Sequence, residues 1–491
     1  VELKYPGLSP WEIWLSEAQE RMVLAVPPNA LPDFIALCES NDVGWWDLGS
    51  FTGDGRLVVR FDGEKVLDLS CGFLHKGMPG RRLKAVKPAE PERSGSEPDG
   101  AIGTSGGAPV PAGKGIGDIL AKVMAYPAVA SKEWAIRRYD HEVQGATVRG
   151  PFSGRMQKGP SDAAVLQPLE VRSGKGISIS NGFNPRYGEA DAYNAAYSAL
   201  DEAVRNAVAS GADPDRIAVT DNFCWGDPRN PANLWTLLKA AKACRDAAVA
   251  HRTPFISGKD SFNNEFEDRE GKRISIPPSL LISAVGVVPK AQDSLGSAFQ
   301  GEGSRIYLVG DFDPELSASV YGELAFPGKG MAGKGPRPSA AAPTVYRALH
   351  GAIRQGLVLS CHDISDGGLA AAAAEMCLGG GRGADISLDA LRAAAGGGKR
   401  GLDSAALLFA ETNGCLLAEV AEDKAVAFEA AMAGCPHLSV GFVSRGTRLR
   451  IFRESGELEA VDLEKLMKAY MSETEKIMAE GSESGPAGGE A

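Results

Sequence analysis

The sequence predicts an α/β protein (α+β in the wider sense) assembled from related tandem units, and three observations predict it. Short apolar runs alternate with helix-period segments from Gly117 to about Val288. A second strand-and-helix block opens at Arg305 and continues to about Phe452. Two stretches look like copies of one another: LSEAQERMVLAV at Leu15–Val26 and LFAETNGCLLAEV at Leu408–Val420. Each has a carboxylate (Glu17, Glu411), an amide two residues on (Gln19, Asn413) and then an apolar run. A chain of 491 residues has room for about three domains.

Taken in order, residues 1–75 read as part of one α/β unit. Met22–Val26 is an apolar run of strand length. Leu31–Ser40 is a short helix with Pro32 in its first turn and Phe34, Leu37 and Cys38 as its apolar positions. Trp45–Gly49 and Arg56–Phe61 alternate as strands about the turn Thr52–Gly55, and Glu64–Leu69 completes a hairpin. From Lys76 to Lys114 the composition shifts to Pro, Gly, Ser and charge, which marks a linker. Gly117–Tyr126 resumes as an amphipathic helix. Strands are expected at Ala163–Leu166, Gly176–Ser180, Ile217–Thr220, Pro254–Ile256 and Leu280–Val287, with helices at Ala190–Ser210 and Asn233–Ala250. The last block starts with the strand Arg305–Val309 and ends in the helix Asp462–Ala479. The partition is then 1–75, a linker at 76–117, domains at 118–300 and 301–480, and a disordered tail at 481–491.

Composition narrows the function. A net charge of −11 argues against a nucleic-acid partner. No apolar run reaches membrane-spanning length, so no membrane partner is expected. The 8 cysteines include no C-x-x-C pair and several lie in apolar segments, as reduced thiols in a cytoplasmic protein would. The first residue is Val rather than Met, which suggests an N-terminally truncated chain.

Four groups of residues can carry chemistry. In TPFISGKDSFNN (Thr253–Asn264), Gly258 breaks a short apolar strand and Lys259, Asp260 and Ser261 follow. Glycine lets backbone N–H groups approach an anion, lysine offsets phosphate charge, and Asp and Ser can ligate Mg2+. A polar turn after a buried strand is the competing reading. Glu202 and Asn206 stand four residues apart on a helix and project from one face, either to share a Mg2+ or as a solvated edge. Asp221 follows the strand IAVT, where ligands gather in open α/β sheets, or else forms an Asx turn; Asp162 stands at a strand start. Asp366-Gly367-Gly368 makes a tight helix entry whose N–H groups can hold an anion, or a packing turn. Two glycine-rich stretches imitate nucleotide loops: Gly107–Lys114 lacks the final Ser or Thr, and Gly328–Gly333 lacks the preceding strand.

A chain-long set of segments carries a resemblance: LSEAQERM (15–22), SKEWAIRRYDHEVQG (131–145), GPSDAAVLQP (159–168), NGFNPRYGEADAY (181–193), DEAVRNAVASGADP (201–214), DNFCWGDP (221–228), PFISGKDSFNNE (254–265), PPSLLISAVG (277–286) and SCHDISDGGL (360–369). In this order they resemble the phosphoribosylformylglycinamidine synthase family, most closely its separate synthetase subunits. The resemblance implies tandem aminoimidazole-ribonucleotide-synthetase-like halves, the first truncated at its N-terminus. Residues 1–75 then end the second domain of the first half. Residues 118–300 become the N-terminal-type barrel domain of the second half, and 301–480 its C-terminal-type domain.

The implied reaction is an ATP-dependent carbon–nitrogen ligation of purine biosynthesis. Formylglycinamide ribonucleotide and glutamine-derived ammonia give formylglycinamidine ribonucleotide. ATP and Mg2+ are the implied cofactors, and a separate glutaminase subunit and a small bridging subunit the implied partners. The family's catalytic histidine falls in the missing domain, so the resemblance assigns no catalytic residue to this chain. It places substrate contacts on Glu17, Ala18 (where Ser is usual), Gln19 and Ser261. It places nucleotide contacts on Asp221, Gly258 and Lys259 (where many members have a metal-binding Asn), and Mg2+ on Asp162, Glu202, Asn206 and Asp260. Two alternatives stand beside it: a non-catalytic nucleotide-binding structural lobe, and a small-molecule kinase of the same superfold.

Overall fold

The structure is a computed structural model that describes residues 3, 5–17, 21–77, 80, 82–88, 115–139, 141–142, 144–326, 333–396 and 403–483. The chain divides into two compact units, Val1–Leu83 and Lys84–Ala491. In the first, helix α1 (Leu31–Ser40) has Pro32 in its first turn and buries Cys38. Strands β1 (Arg56–Phe61) and β2 (Glu64–Ser70) pair as an antiparallel hairpin. Asp62 and Gly63 link them with φ of 50° and 84°, the left-handed pair that an Asp-Gly hairpin turn requires. Met22–Val26 and Trp45–Gly49, expected as strands, have no ladder partner among the described residues, and Met22 and Val23 are exposed. An apolar run becomes a strand only where a neighbouring edge takes its backbone hydrogen bonds. Most of the expected linker lies outside the described residues.

The second unit opens with α2 (Ile116–Met124), whose Ile119, Leu120, Val123 and Met124 are buried at helical spacing. Its first sheet contains β3 (Thr147–Arg149), β4 (Ala163–Leu166), β5 (Gly176–Phe183), β6 (Ile217–Trp225), β7 (Phe255–Phe262) and β8 (Ser279–Val288). The order across the sheet is β3-β4-β5-β8-β6-β7, antiparallel except for the parallel pair β6/β7. Helices α3 (Ala192–Ala209) and α4 (Pro231–His251) connect these strands, and α3 packs on β5 and β8. Burial alternates along β5 and β8: Ser178, Ser180, Ile282 and Ala284 are buried, whereas Ile179 and Val285 are exposed. The contact with α3 is close. A Cβ on Gly182 would stand 2.0 Å from the Ala199 carbonyl oxygen, so only glycine fits there.

The second sheet holds β9 (Arg305–Val309), β10 (Ser360–Asp363), β11 (Gly383–Ser387), β12 (Leu416–Val420), β13 (His437–Ser444), β14 (Arg448–Arg453) and β15 (Gly456–Asp462). Their order is β10-β12-β9-β13-β11-β14-β15. Helices α5 (Ala342–Arg354), α6 (Gly368–Gly380) and α7 (Leu463–Glu483) flank it. One apolar core joins the two sheets, with Leu200 and Val204 of α3, Val219 and Ile282 of the first sheet, Tyr307 and Leu416 of the second, and Tyr346 of α5. Each large side chain so buried contributes about 1.5–3 kcal/mol, enough to hold α3 firmly against β10 and β12.

Candidate functional site

Three elements converge on one cluster. The residue before β4 supplies Asp162, the end of β10 supplies His362 and Asp363, and the middle of α3 supplies Glu202, Arg205 and Asn206. Helical spacing puts the α3 residues on neighbouring positions of one side. Asp162 Oδ1 accepts the Asp363 backbone N–H at 2.9 Å, and its two oxygens lie 3.0 and 3.1 Å from His362 Nδ1. His362 Nε2 lies 3.1 Å from Glu375 Oε2, on α6. Arg205 donates to Asp363 Oδ2 at 3.1 Å and to Asp201 at 2.5 Å. Glu202 Oε2 accepts from the Phe183 N–H at 3.2 Å and from Asn184 Nδ2 at 2.5 Å. Potential ligand atoms of Asp162, His362 and Asp363 all lie within 4.8 Å of one another.

The electrostatics of the cluster suit a cation. Burial holds the Glu202 carboxyl well above the usual carboxylate range, and the negative charge of Asp363 adds to the effect. Burial also raises Asp363, against the pull of Arg205. Asn206 Nδ2 donates to the Asn181 carbonyl at 3.1 Å, while its Oδ1 is buried with no partner among the described residues. Such an orphan oxygen costs about 1–3 kcal/mol. A hard cation that takes carboxylate and amide oxygens would satisfy it and relieve the crowded carboxylates. The donors Asp162, Glu202, Asn206 and Asp363 therefore fit Mg2+ chemically.

Asp260 does not join them, which corrects the expected metal set. It sits on β7, four strand spacings from β4, or about 19 Å at about 4.8 Å per spacing. Asp363 stands where Asp260 was expected. Its signal was present in CHDISDGG, read from the sequence only for its glycines. The stretch around Lys259 differs from expectation as well. Gly258 does not break the strand: β7 runs through it to Phe262, pairing Asp221 with Gly258 and Phe223 with Asp260. Alternation sends Lys259 and Ser261 to one face, where they contact each other, and Asp260 to the opposite face. Gly258 approaches Asp221 so closely that a Cβ would stand 2.1 Å from Asp221 Oδ1. Burial raises the Asp221 carboxyl, and Asp260 raises it further. Lys259 and Asp260, adjacent in sequence, therefore cannot act on one phosphate as a unit.

Glu17 is exposed in the first unit, and Ala18 and Gln19 lie outside the described residues. The helix entry Asp366-Gly367-Gly368 does hold an anion, and the anion is internal. Gly367 N–H donates to Glu411 Oε1 at 2.8 Å, as does Val320 N–H at 2.8 Å. Tyr187 Oη and Arg186 donate to Glu411 Oε2, and Arg186 also bonds Asp366. Glu411 corresponds to Glu17 in the repeat expected from the sequence.

Comparison with known proteins adds to this geometry. Residues 160–288 match the N-terminal domain of AIR synthase related proteins, and residues 1–62 and 287–453 match their C-terminal domain. The chain is similar to the phosphoribosylformylglycinamidine synthase subunit PurL of Methanosarcina mazei, 32% identical over 478 residues, 97% of this chain and 61% of the relative. The PurL subunit of Ignicoccus hospitalis is 36% identical over 394 residues, 80% of this chain and 51% of the relative. The chain thus spans about half to three fifths of the length of these relatives. Among solved structures, Thermotoga maritima PurL complexed with FGAR superposes with a TM-score of 0.55 at 15% identity, covering 72% of this chain and 54% of that one. Phosphoribosylformylglycinamidine synthase II from the same organism gives 0.52 at 16% identity, covering 71% and 51%. At these identities the likeness is one of fold.

Proposed function

The chain belongs to the AIR synthase related family, in the branch of the phosphoribosylformylglycinamidine synthase subunit PurL, and we propose that it works in the synthesis of formylglycinamidine ribonucleotide. The reaction converts an amide to an amidine. ATP phosphorylates the amide oxygen, turning it into a leaving group that ammonia displaces. Catalysis of this kind consists mainly of positioning and of stabilising phosphoryl charge.

Within this chain the part assigned is a Mg2+–nucleotide site. The observation that carries it is the convergence of Asp162 and Asp363, with Glu202 near enough to feel the charge of Asp363 and one turn of α3 from the Asn206 oxygen that has no partner among the described residues. These four residues would hold Mg2+, and the cation supplies charge neutralisation for nucleotide phosphates. Arg205 orients Asp363 and opposes the upward push of burial on its carboxyl. The α3 helix, locked between the two sheets, fixes the spacing of Glu202 and Asn206. Asp221, Gly258 and Lys259 are retained as nucleotide contacts, and Glu17, Ala18, Gln19 and Ser261 as substrate contacts, on family position alone. Curated relatives are named as subunits, so a glutaminase subunit and a small bridging subunit are proposed partners, in the cytoplasm.

The test is the joint substrate requirement. Protein containing this chain should release ADP only when formylglycinamide ribonucleotide and ammonia are both present with Mg-ATP, with formylglycinamidine ribonucleotide as the product. ATP turnover with a small phosphoacceptor and no ammonia would refute the proposal in favour of a kinase.

A further inference from the structure

His362 lies among residues that could hold a metal, and imidazole is a common metal ligand, yet its surroundings leave it no free nitrogen. Nδ1 faces both oxygens of Asp162 at 3.0 and 3.1 Å, and Nε2 faces Glu375 Oε2 at 3.1 Å. The nearer oxygen of Asp363 stands 3.9 Å from Nδ1. The His362 side chain is only 7% exposed, so water does not compete for either nitrogen. Both ring nitrogens are thus taken up by carboxyl groups, and a cation could reach either one only by displacing Asp162 or Glu375.

We infer that His362 is a positioning residue, clamped by Glu375 so that it orients Asp162 and stays out of the coordination sphere. The consequence is a site of oxygen donors alone. Nitrogen and sulfur donors favour Zn2+, whereas carboxylate and amide oxygens favour Mg2+ and Mn2+. His362 and the Asp363 N–H together fix the Asp162 carboxylate from one side, as Arg205 fixes Asp363. Hydrogen-bond partners that orient ligands in this way are typically worth about 10–100-fold in metal affinity.

The inference rests on the cation site proposed above, and Mn2+ as a paramagnetic probe tests the two separately. The full chain is titrated with Mn2+ and its bound signal examined by pulsed electron paramagnetic resonance for a directly ligated nitrogen. Bound Mn2+ without such a nitrogen is the expected result. His362→Leu should weaken Mn2+ about 10–100-fold. His362→Gln, whose amide N–H can still reach Asp162, should recover a good part of that loss. A merely structural histidine would give equal affinities for the Leu and Gln variants, which would overturn the inference. Bound Mn2+ showing ligated nitrogen in the unmodified chain would also overturn it, while leaving the cation site standing. Absence of Mn2+ binding in the unmodified chain would remove both. The nitrogen measurement needs no variant, so it decides the matter even if His362→Leu does not fold.

Discussion

Replacing Glu411 by Gln should destabilise the second unit by about 3 kcal/mol. The carboxylate is 1% exposed and faces donors only: Val320 N–H and Gly367 N–H on one oxygen, Tyr187 Oη and Arg186 on the other. Gln has nearly the same shape, but its NH2 must face one of these two donor pairs. Turned to the two N–H groups it leaves both donors without an acceptor; turned the other way it strands Arg186, while the Tyr187 hydroxyl can rotate to accept from it. A buried hydrogen bond to a charged group is worth roughly 1.5–3 kcal/mol, so the two bonds to Glu411 Oε2 carry about 3–6 kcal/mol between them. Arg186 keeps Asp366 as a partner, which places the expected value near the lower limit. For a unit of this length, at about 2.1 cal/mol/K per residue, thermal unfolding should then shift down by about 3–4 °C. The Arg186→Met change should cost less in the Glu411→Gln background than alone, because the two share one network. A loss below about 1 kcal/mol would refute the account of Glu411 as the buried anion of the helix entry.

Two further outcomes follow from single residues. Gly258→Ala should destabilise by about 1–3 kcal/mol through its clash with Asp221, and Asp221→Ala should relieve most of that cost; equal penalties in both backgrounds would disprove the contact. Neither ring nitrogen of buried His350 has a partner among the described residues, and burial lowers its pKa. The unfolded chain takes up this proton near pH 6.5 while folded His350 resists it, so its stabilising contribution is present above about pH 6.5 and lost as pH falls. Denaturant midpoints measured from about pH 5 to 7 should fall on acidification, and His350→Leu should flatten the slope; an unchanged slope would count against the assignment.

What was legible in the sequence follows from burial. The strands Ala163–Leu166 and Arg305–Val309 have the same bounds in sequence and structure, because each is a short apolar run between breaks. The strands β6 and β7 extend past their apolar starts through Asp221–Trp225 and Ser257–Phe262. Only one face of that sheet carries helices, so alternate positions tolerate polar residues and an apolar run ends before its strand does. The site was legible where local geometry determines it, as for Glu202 and Asn206 one helical turn apart. It was not legible where it depends on strand order. Nothing local to Asp260 says that β7 is an edge strand four places from β4, or that β10 ends beside Asp162.

The most direct test compares two substitutions, Asp363→Asn and Asp260→Asn, in calorimetric titrations of ADP with and without Mg2+. Each removes one negative charge and preserves side-chain shape. If Asp162, Glu202, Asn206 and Asp363 hold the cation, Asp363→Asn should weaken Mg2+-dependent ADP binding about 10–100-fold, or about 1.4–2.8 kcal/mol. Asp260→Asn should leave that binding unchanged. Loss in Asp260→Asn, with Asp363→Asn folded and binding normally, would contradict the assignment of the site.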